Sequence, residues 1–188
     1  YDSATGRISG FKSGGVWFDN RYLAGTDLRD RIKYGNSGYA YYSYETNRDV
    51  LAQVRNEFGG NTISQYDYVC DAIGSRVQIA RSGTMMSESR NDAYGYNERN
   101  ELISASKSGG SQSTATEYSY KYDDIGNRIT STELDAGGPT FVSASYAANN
   151  LNQYTSISNS ATSAFSAGNN FHFRNVITIL TISSFSCG

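Results

Sequence analysis

Tyrosines recur in this chain as pairs two residues apart: Tyr42 and Tyr44, Tyr66 and Tyr68, Tyr94 and Tyr96, Tyr118 and Tyr120. The second members follow one another at 24, 28 and 24 residues, Tyr146 comes 26 after Tyr120, and Tyr22 lies 22 before Tyr44. This is a period in the twenties, with slippage. Side chains alternate across a strand, so a two-residue spacing sets both rings of a pair on one face. A helix of 3.6 residues per turn would splay them by about 200°. The spacing therefore predicts a protein built from repeated strands.

The agreement extends beyond the tyrosines. After Tyr68, Asp71, Gly74, Arg76 and Val77 fall at +3, +6, +8 and +9; after Tyr120, Asp123, Gly126, Arg128 and Ile129 fall at the same offsets. Tyr44 leads instead to Asn47-Arg48-Asp49-Val50-Leu51, and Tyr96 to Arg99-Asn100-Glu101-Leu102-Ile103. Two unit types thus alternate with a double period of 52 residues, and Tyr44, Tyr68, Tyr96, Tyr120, Asp71, Asp123, Gly74, Gly126, Arg76 and Arg128 are its structural repeat positions. Gly14-Gly15, Gly59-Gly60, Gly83, Gly109-Gly110 and Gly137-Gly138 punctuate the units. Asp71-Ala72-Ile73-Gly74 and Asp123-Asp124-Ile125-Gly126 spell type I turns, with an acid first and a glycine fourth. Strand, polar turn, strand and glycine turn make successive hairpins of an antiparallel meander. Stacked units bury what one hairpin cannot. Matched tyrosines of neighbouring units are expected to align into ladders, each ring pair adding about 0.2–1 kcal/mol.

Tyr1-Asp2-Ser3-Ala4-Thr5-Gly6-Arg7-Ile8 and Tyr122-Asp123-Asp124-Ile125-Gly126-Asn127-Arg128-Ile129 resemble the signature of the YD-repeat, or Rhs-repeat, family, as do Tyr44 to Leu51 and Asn149 to Tyr154. The similarity covers roughly residues 1 to 160. In that family, which includes bacterial Rhs toxins, insecticidal toxin complexes and teneurins, long runs of repeats wind into a spiral β-sheet that closes as a hollow shell. In the toxins the shell encloses a C-terminal effector. The resemblance implies an all-β, curved antiparallel sheet of about six hairpin units, extracellular or at a cell surface, with the remaining repeats of a longer parent as partners. Six units are too few to close a shell.

Composition narrows the function. A net charge of −2 gives no electrostatic footing for nucleic acid or an anionic membrane. The apolar run Val176 to Ile182 is far short of the roughly 20 residues of a membrane helix, and no signal peptide is visible. Cys70 and Cys187 are too few for a disulfide framework, a single bridge between them being the one pairing open to them, and no Cys/His cluster suggests zinc. His172 has no second ligand or base beside it. Asp2, Asp71, Asp123 and Asp124 recur at turns rather than as paired carboxylates for glycoside hydrolysis. No nucleophile elbow or nucleotide cradle occurs. Hence no catalytic, cofactor-binding or metal-binding residue is assigned. Arg7, Arg76 and Arg128 follow turn glycines and are placed to pair with acids of an adjacent unit.

The repeat occupies 1–165 and stops there. The tail 166–188 lacks tyrosine, Tyr-Asp and Gly-Arg. It reads either as a frame-shifted end or as a capping strand whose β-prone, uncharged Val176–Ile182 covers the sheet or promotes association. The function expected is a non-catalytic arc of an exported shell. The alternative is a surface module whose tyrosine ladder binds a glycan or a protein. Open sheet edges predict self-association.

Overall fold

The computed structural model describes residues 1–163 apart from 4, 111 and 135–139, with the backbone alone at 112–115, 140–141 and 162–163. The tail 166–188, with His172, Cys187 and Val176–Ile182, lies outside the described residues, as do Gly137 and Gly138. Every described element is a strand: β1 (Gly10–Ser13), β2 (Val16–Tyr22), β3 (Arg29–Lys33), β4 (Gly38–Tyr44), β5 (Leu51–Phe58), β6 (Asn61–Cys70), β7 (Arg76–Ser82), β8 (Arg90–Tyr96), β9 (Leu102–Gly109), β10 (Gln112–Tyr122), β11 (Arg128–Leu134), β12 (Thr140–Ala148) and β13 (Tyr154–Ser163). They are ordered in the sheet as in the chain, an all-β meander of hairpins. The backbone divides into two compact units, 1–91 and 92–188.

In the first unit, antiparallel pairing carries Tyr42 opposite Val54, Val54 opposite Tyr66, and Tyr66 opposite Arg81. One face of β4–β7 therefore presents Tyr42, Val54, Tyr66 and Arg81 in a row, with Tyr68 opposite Ile79 one row on. Ala40 and Ile79 are the buried apolar side chains of this unit. In the second unit Tyr118, Tyr120 and Tyr122 share a face of β10 by the same alternation.

Among the described residues the tyrosine ring contacts are local, Tyr39 with Tyr41 at 5.7 Å and Tyr146 with Tyr154 at 5.5 Å, and the expected ladder of matched tyrosines from unit to unit does not form. A meander places the other strand of each hairpin between two tyrosine strands, so Tyr42 and Tyr66 are separated by Val54. At roughly 4.8 Å per strand, such rings stand about 10 Å apart, beyond stacking distance. Guanidinium groups lie over the rings instead: Arg29 over Tyr42 at 5.9 Å, Arg76 over Tyr68 at 4.0 Å, and Arg128 over Tyr120 at 4.7 Å and Tyr146 at 5.9 Å. Each contributes on the order of 0.5–1 kcal/mol where exposed.

Candidate functional site

The chemistry of the chain is concentrated along the loops that join one hairpin to the next. Their first residues are Asp2, Leu23, Glu45, Asp71, Asn97, Asp123 and Asn149, and in each loop that residue's N–H donates to the carbonyl that closes the loop. From Glu45 onward the loop heads are 26 residues apart without exception. The slippage in the tyrosine spacing disappears in this frame. Tyr44, Cys70, Tyr96, Tyr122 and Ala148 immediately precede the heads, and Tyr42, Tyr68, Tyr94, Tyr120 and Tyr146 stand two residues earlier. The two unit types are thus one unit with two spellings.

The loops close by side-chain mimicry of the backbone. Asp71 Oδ1 accepts from the N–H of Ile73 at 3.0 Å and of Ser75 at 2.8 Å, while its carbonyl accepts from Gly74 N–H at 3.2 Å. Asp123 does the same with Ile125 (3.1 Å), Asn127 (2.8 Å) and Gly126 (3.2 Å), and its Oδ2 accepts from Asn127 Nδ2 at 2.9 Å. Asn97 and Asn149 perform the same task through Oδ1, binding the N–H groups of Arg99 and Glu101, and of Leu151 and Gln153. At the fourth position φ is positive: +92° at both Gly74 and Gly126, +59° at both Asn100 and Asn152. Asparagine is among the few residues that tolerate this region, which explains why it alternates with glycine there.

These bonds to Asn127, foremost the one to its side chain and with those from the loop N–H groups behind it, hold the Asp123 carboxyl below its ordinary 3.8. The sign follows. A depressed folded value adds stability above the unfolded value and loses it as the pH falls through the folded one. Asp123→Asn, which copies the asparagine heads, is expected to fold normally at neutral pH and to flatten the acid limb of a urea-midpoint titration run from neutral to acid. An unchanged limb would show that Asp123 does not contribute to it.

A one-residue bulge accompanies each of five loops. The register slips between Arg21 and Tyr22, Ser43 and Tyr44, Val69 and Cys70, Lys121 and Tyr122, and Ala147 and Ala148. The extra residue lies on the strand after the loop, as Asp30, Ala52, Val77, Ile129 and Thr155. The tyrosine before the loop reaches the residues that open its own hairpin: Tyr22 donates to the Ile8 carbonyl at 3.1 Å, Tyr44 to that of Arg29 at 3.0 Å, and Tyr122 to that of Leu102 at 2.8 Å. Cys70 and Ala148 occupy this position without a hydroxyl. Beyond Ala148, the Tyr154 hydroxyl accepts from the Arg128 N–H at 2.9 Å. Tyr122→Phe is expected to lower stability by about 1 kcal/mol, the net worth of one such bond, while Tyr120→Phe, whose hydroxyl is not in this position, serves as the comparison in the same denaturation series.

Arginines then join loop to loop. Arg48 Nη1 donates to the carbonyls of Asp71 at 2.6 Å and Ala72 at 3.1 Å, and its Nε is steered by Glu45 at 2.7 Å. Arg99 repeats the arrangement onto Asp123 at 2.7 Å and Asp124 at 2.6 Å, steered by Glu101. Arg7 pairs with Asp27 of the next loop at 2.9 Å. The sequence alone singles out Arg7, Arg76 and Arg128 and passes over Arg48 and Arg99. Their signal is nonetheless present: each is paired with a glutamate, three residues before it or two after.

This edge offers fixed dipoles and hydrogen bonds between units. Among the described residues, no three His, Cys, Asp or Glu side chains gather as a metal site, and the thiol of Cys70 is half-buried.

No family model and no curated protein matches the chain. The crystal structure of TcdB2-TccC3-Cdc42 is similar over 79% of this chain at TM-score 0.63 and 20% identity, so the two share a fold. That overlap is 9% of the other chain: this sequence spans a small part of the protein it resembles. The structure of TcdB2-TccC3-TEV overlaps 84% of this chain and 14% of that one, at TM-score 0.33 and 9% identity.

Proposed function

We propose that this chain is a non-catalytic length of wall from an exported shell of the Rhs or YD-repeat kind, the remainder of the shell being supplied by further repeats. Its fold is that of part of a TcdB2-TccC3 chain, and the signature residues Tyr122 to Ile129 form one of its loops. The observation that carries the reading is the inter-loop bonding. Arg48 and Arg99 each complete the hydrogen bonding of the loop after their own. A hairpin of this design stabilises its neighbour rather than a substrate, and material of that kind serves as scaffold.

The tyrosines are engaged in the same work. The hydroxyls of Tyr22, Tyr44 and Tyr122 bind backbone carbonyls, and arginines lie over Tyr42, Tyr68 and Tyr120. That favours the wall over a tyrosine-ladder binding module.

The test is a chimera in which this chain replaces the segment it overlaps in the TcdB2-TccC3 protein. Closed particles in negative-stain electron microscopy are expected. A chimera whose flanking parts resist protease but whose shell stays open would overturn the proposal.

A further inference from the structure

At its last described loop the wall departs from its own pattern. After the loops headed by Asp71 and Asp123 the next strand starts with an arginine, Arg76 opposite Cys70 and Arg128 opposite Tyr122. Each guanidinium lies over the tyrosine three positions before the loop head, Tyr68 at 4.0 Å and Tyr120 at 4.7 Å. After the Asn149 loop the same place, opposite Ala148, belongs to Tyr154. Two phenol rings meet there instead: Tyr154 and Tyr146 have centroids 5.5 Å apart and planes tilted by 53°, within the contact range of aromatic pairs. Counted back from Ile157, which stands opposite Tyr146, strict alternation would send Tyr154 to the other face. The extra residue Thr155 shifts the count by one and returns Tyr154 to the Tyr146 side.

Both phenols are held by β11. Tyr146 shares a hydrogen bond with the Ser131 hydroxyl at 3.1 Å, and the Tyr154 oxygen accepts from the Arg128 N–H at 2.9 Å. The Ser131 bond foremost, with Arg128 adding to it, sets the Tyr146 phenol below its ordinary 10.0. A more acidic phenol gives up its proton more readily when it loses an electron. Tyr154 is 49% exposed, which leaves the pair open to a dissolved oxidant. The other tyrosine ring contact among the described residues, Tyr39 with Tyr41, lies within one strand, beneath Arg31 at 5.5 Å and Arg55 at 4.9 Å. A link there would join no two strands.

We propose that Tyr146 and Tyr154 are a site of oxidative dityrosine cross-linking that staples β12 to β13, with a peroxide as oxidant and a haem peroxidase as its one-electron carrier. Each phenol gives up its O–H hydrogen as an electron and a proton. The two radicals couple through ring carbons ortho to oxygen, forming one C–C bond. The hydrogens on those two carbons then pass through water to the oxygens and restore both phenols. The peroxide takes up the two electrons and two protons and leaves as two waters. The product is a covalent tie across the last described hairpin, at the one place where a second tyrosine replaces the arginine of the Asp71 and Asp123 loops.

The test treats the full chain, kept dilute, with hydrogen peroxide and a plant haem peroxidase. Chymotryptic digestion, which cuts after Leu151 between the two tyrosines, is followed by mass spectrometry. The main cross-link expected joins the peptides carrying Tyr146 and Tyr154, lighter by two hydrogens than their sum, and the chain gains dityrosine fluorescence. Tyr154→Arg copies the arrangement of Arg76 and Arg128, so it is expected to keep the far-ultraviolet circular dichroism and to lose most of that fluorescence. Tyr41→Phe, which removes the other pair, should retain it. The site is overturned if the wild-type chain yields no 146–154 link, if links spread among the sixteen tyrosines irrespective of contact, or if Tyr154→Arg fluoresces as wild type does. None of these results bears on whether the chimera closes.

Discussion

Replacing Gly83 by alanine is expected to destabilise the chain by about 3 kcal/mol, measured as a shift of the urea midpoint at unchanged slope. Gly83 follows β7 with φ at +132°, a region that side chains other than hydrogen occupy only under strain of about 1–3 kcal/mol. The space is closed as well. A Cβ there would stand 2.5 Å from the Ile63 carbonyl oxygen and 2.6 Å from the Ser64 Cα. Both obstacles are backbone and neither can swing away. Relief would require the 83–85 segment to back off from β6, breaking the bonds from Thr84 N–H to Thr62 O (3.1 Å) and from Met85 N–H to Ile63 O (3.0 Å), each worth about 1 kcal/mol. Gly59→Ala provides the control, because φ is again positive at +58° but nothing lies within 4 Å of the added carbon. It should cost only about 1–2 kcal/mol. If the two substitutions prove equally costly, close backbone approach is not what fixes Gly83.

Much of this architecture is legible in the sequence because its physics is local. Two-residue tyrosine spacing can satisfy one strand face and no helix face, and Asp-x-x-Gly writes its turn into consecutive residues, as Asp71 and Asp123 show through Oδ1. The parts that escape depend on partners far along the chain. The 24–28–24 spacing conceals a uniform 26-residue unit because positions 70 and 148 hold Cys and Ala where 44, 96 and 122 hold Tyr. Extra tyrosines at 66 and 118, where the unit elsewhere has Ala40, Asp92 and Ala144, complete the disguise. Asn97 and Asn149 do not announce themselves as loop heads, since a carboxamide oxygen accepts the same N–H bonds as a carboxylate and only the geometry reveals the equivalence. Ring ladders follow from face alternation taken alone. The intervening strand of each hairpin, which no spacing of tyrosines discloses, puts Val54 or an arginine where the next ring would be.

The inter-loop arginines are the least visible of these features and lead to the second large effect. Arg48→Met keeps most of the aliphatic stem while removing the donors to the Asp71 and Ala72 carbonyls and the partner of Glu45. The guanidinium is one-third exposed, so solvent takes back part of what is lost, and a destabilisation of about 2 kcal/mol is expected from charge-assisted bonds in that setting. Arg48→Lys discriminates between charge and geometry. An ammonium restores the ion pair with Glu45 yet lacks the planar fork that reaches two adjacent carbonyls while held from behind by a carboxylate. Lysine should therefore recover less than half of the loss. Full recovery would mean that Arg48 acts as a surface charge and that the loops hold their register without it. If instead only arginine suffices, the bond from one loop to the next is what carries each hairpin's stability into its neighbour, and the repeat is held together at its edge as well as across its faces.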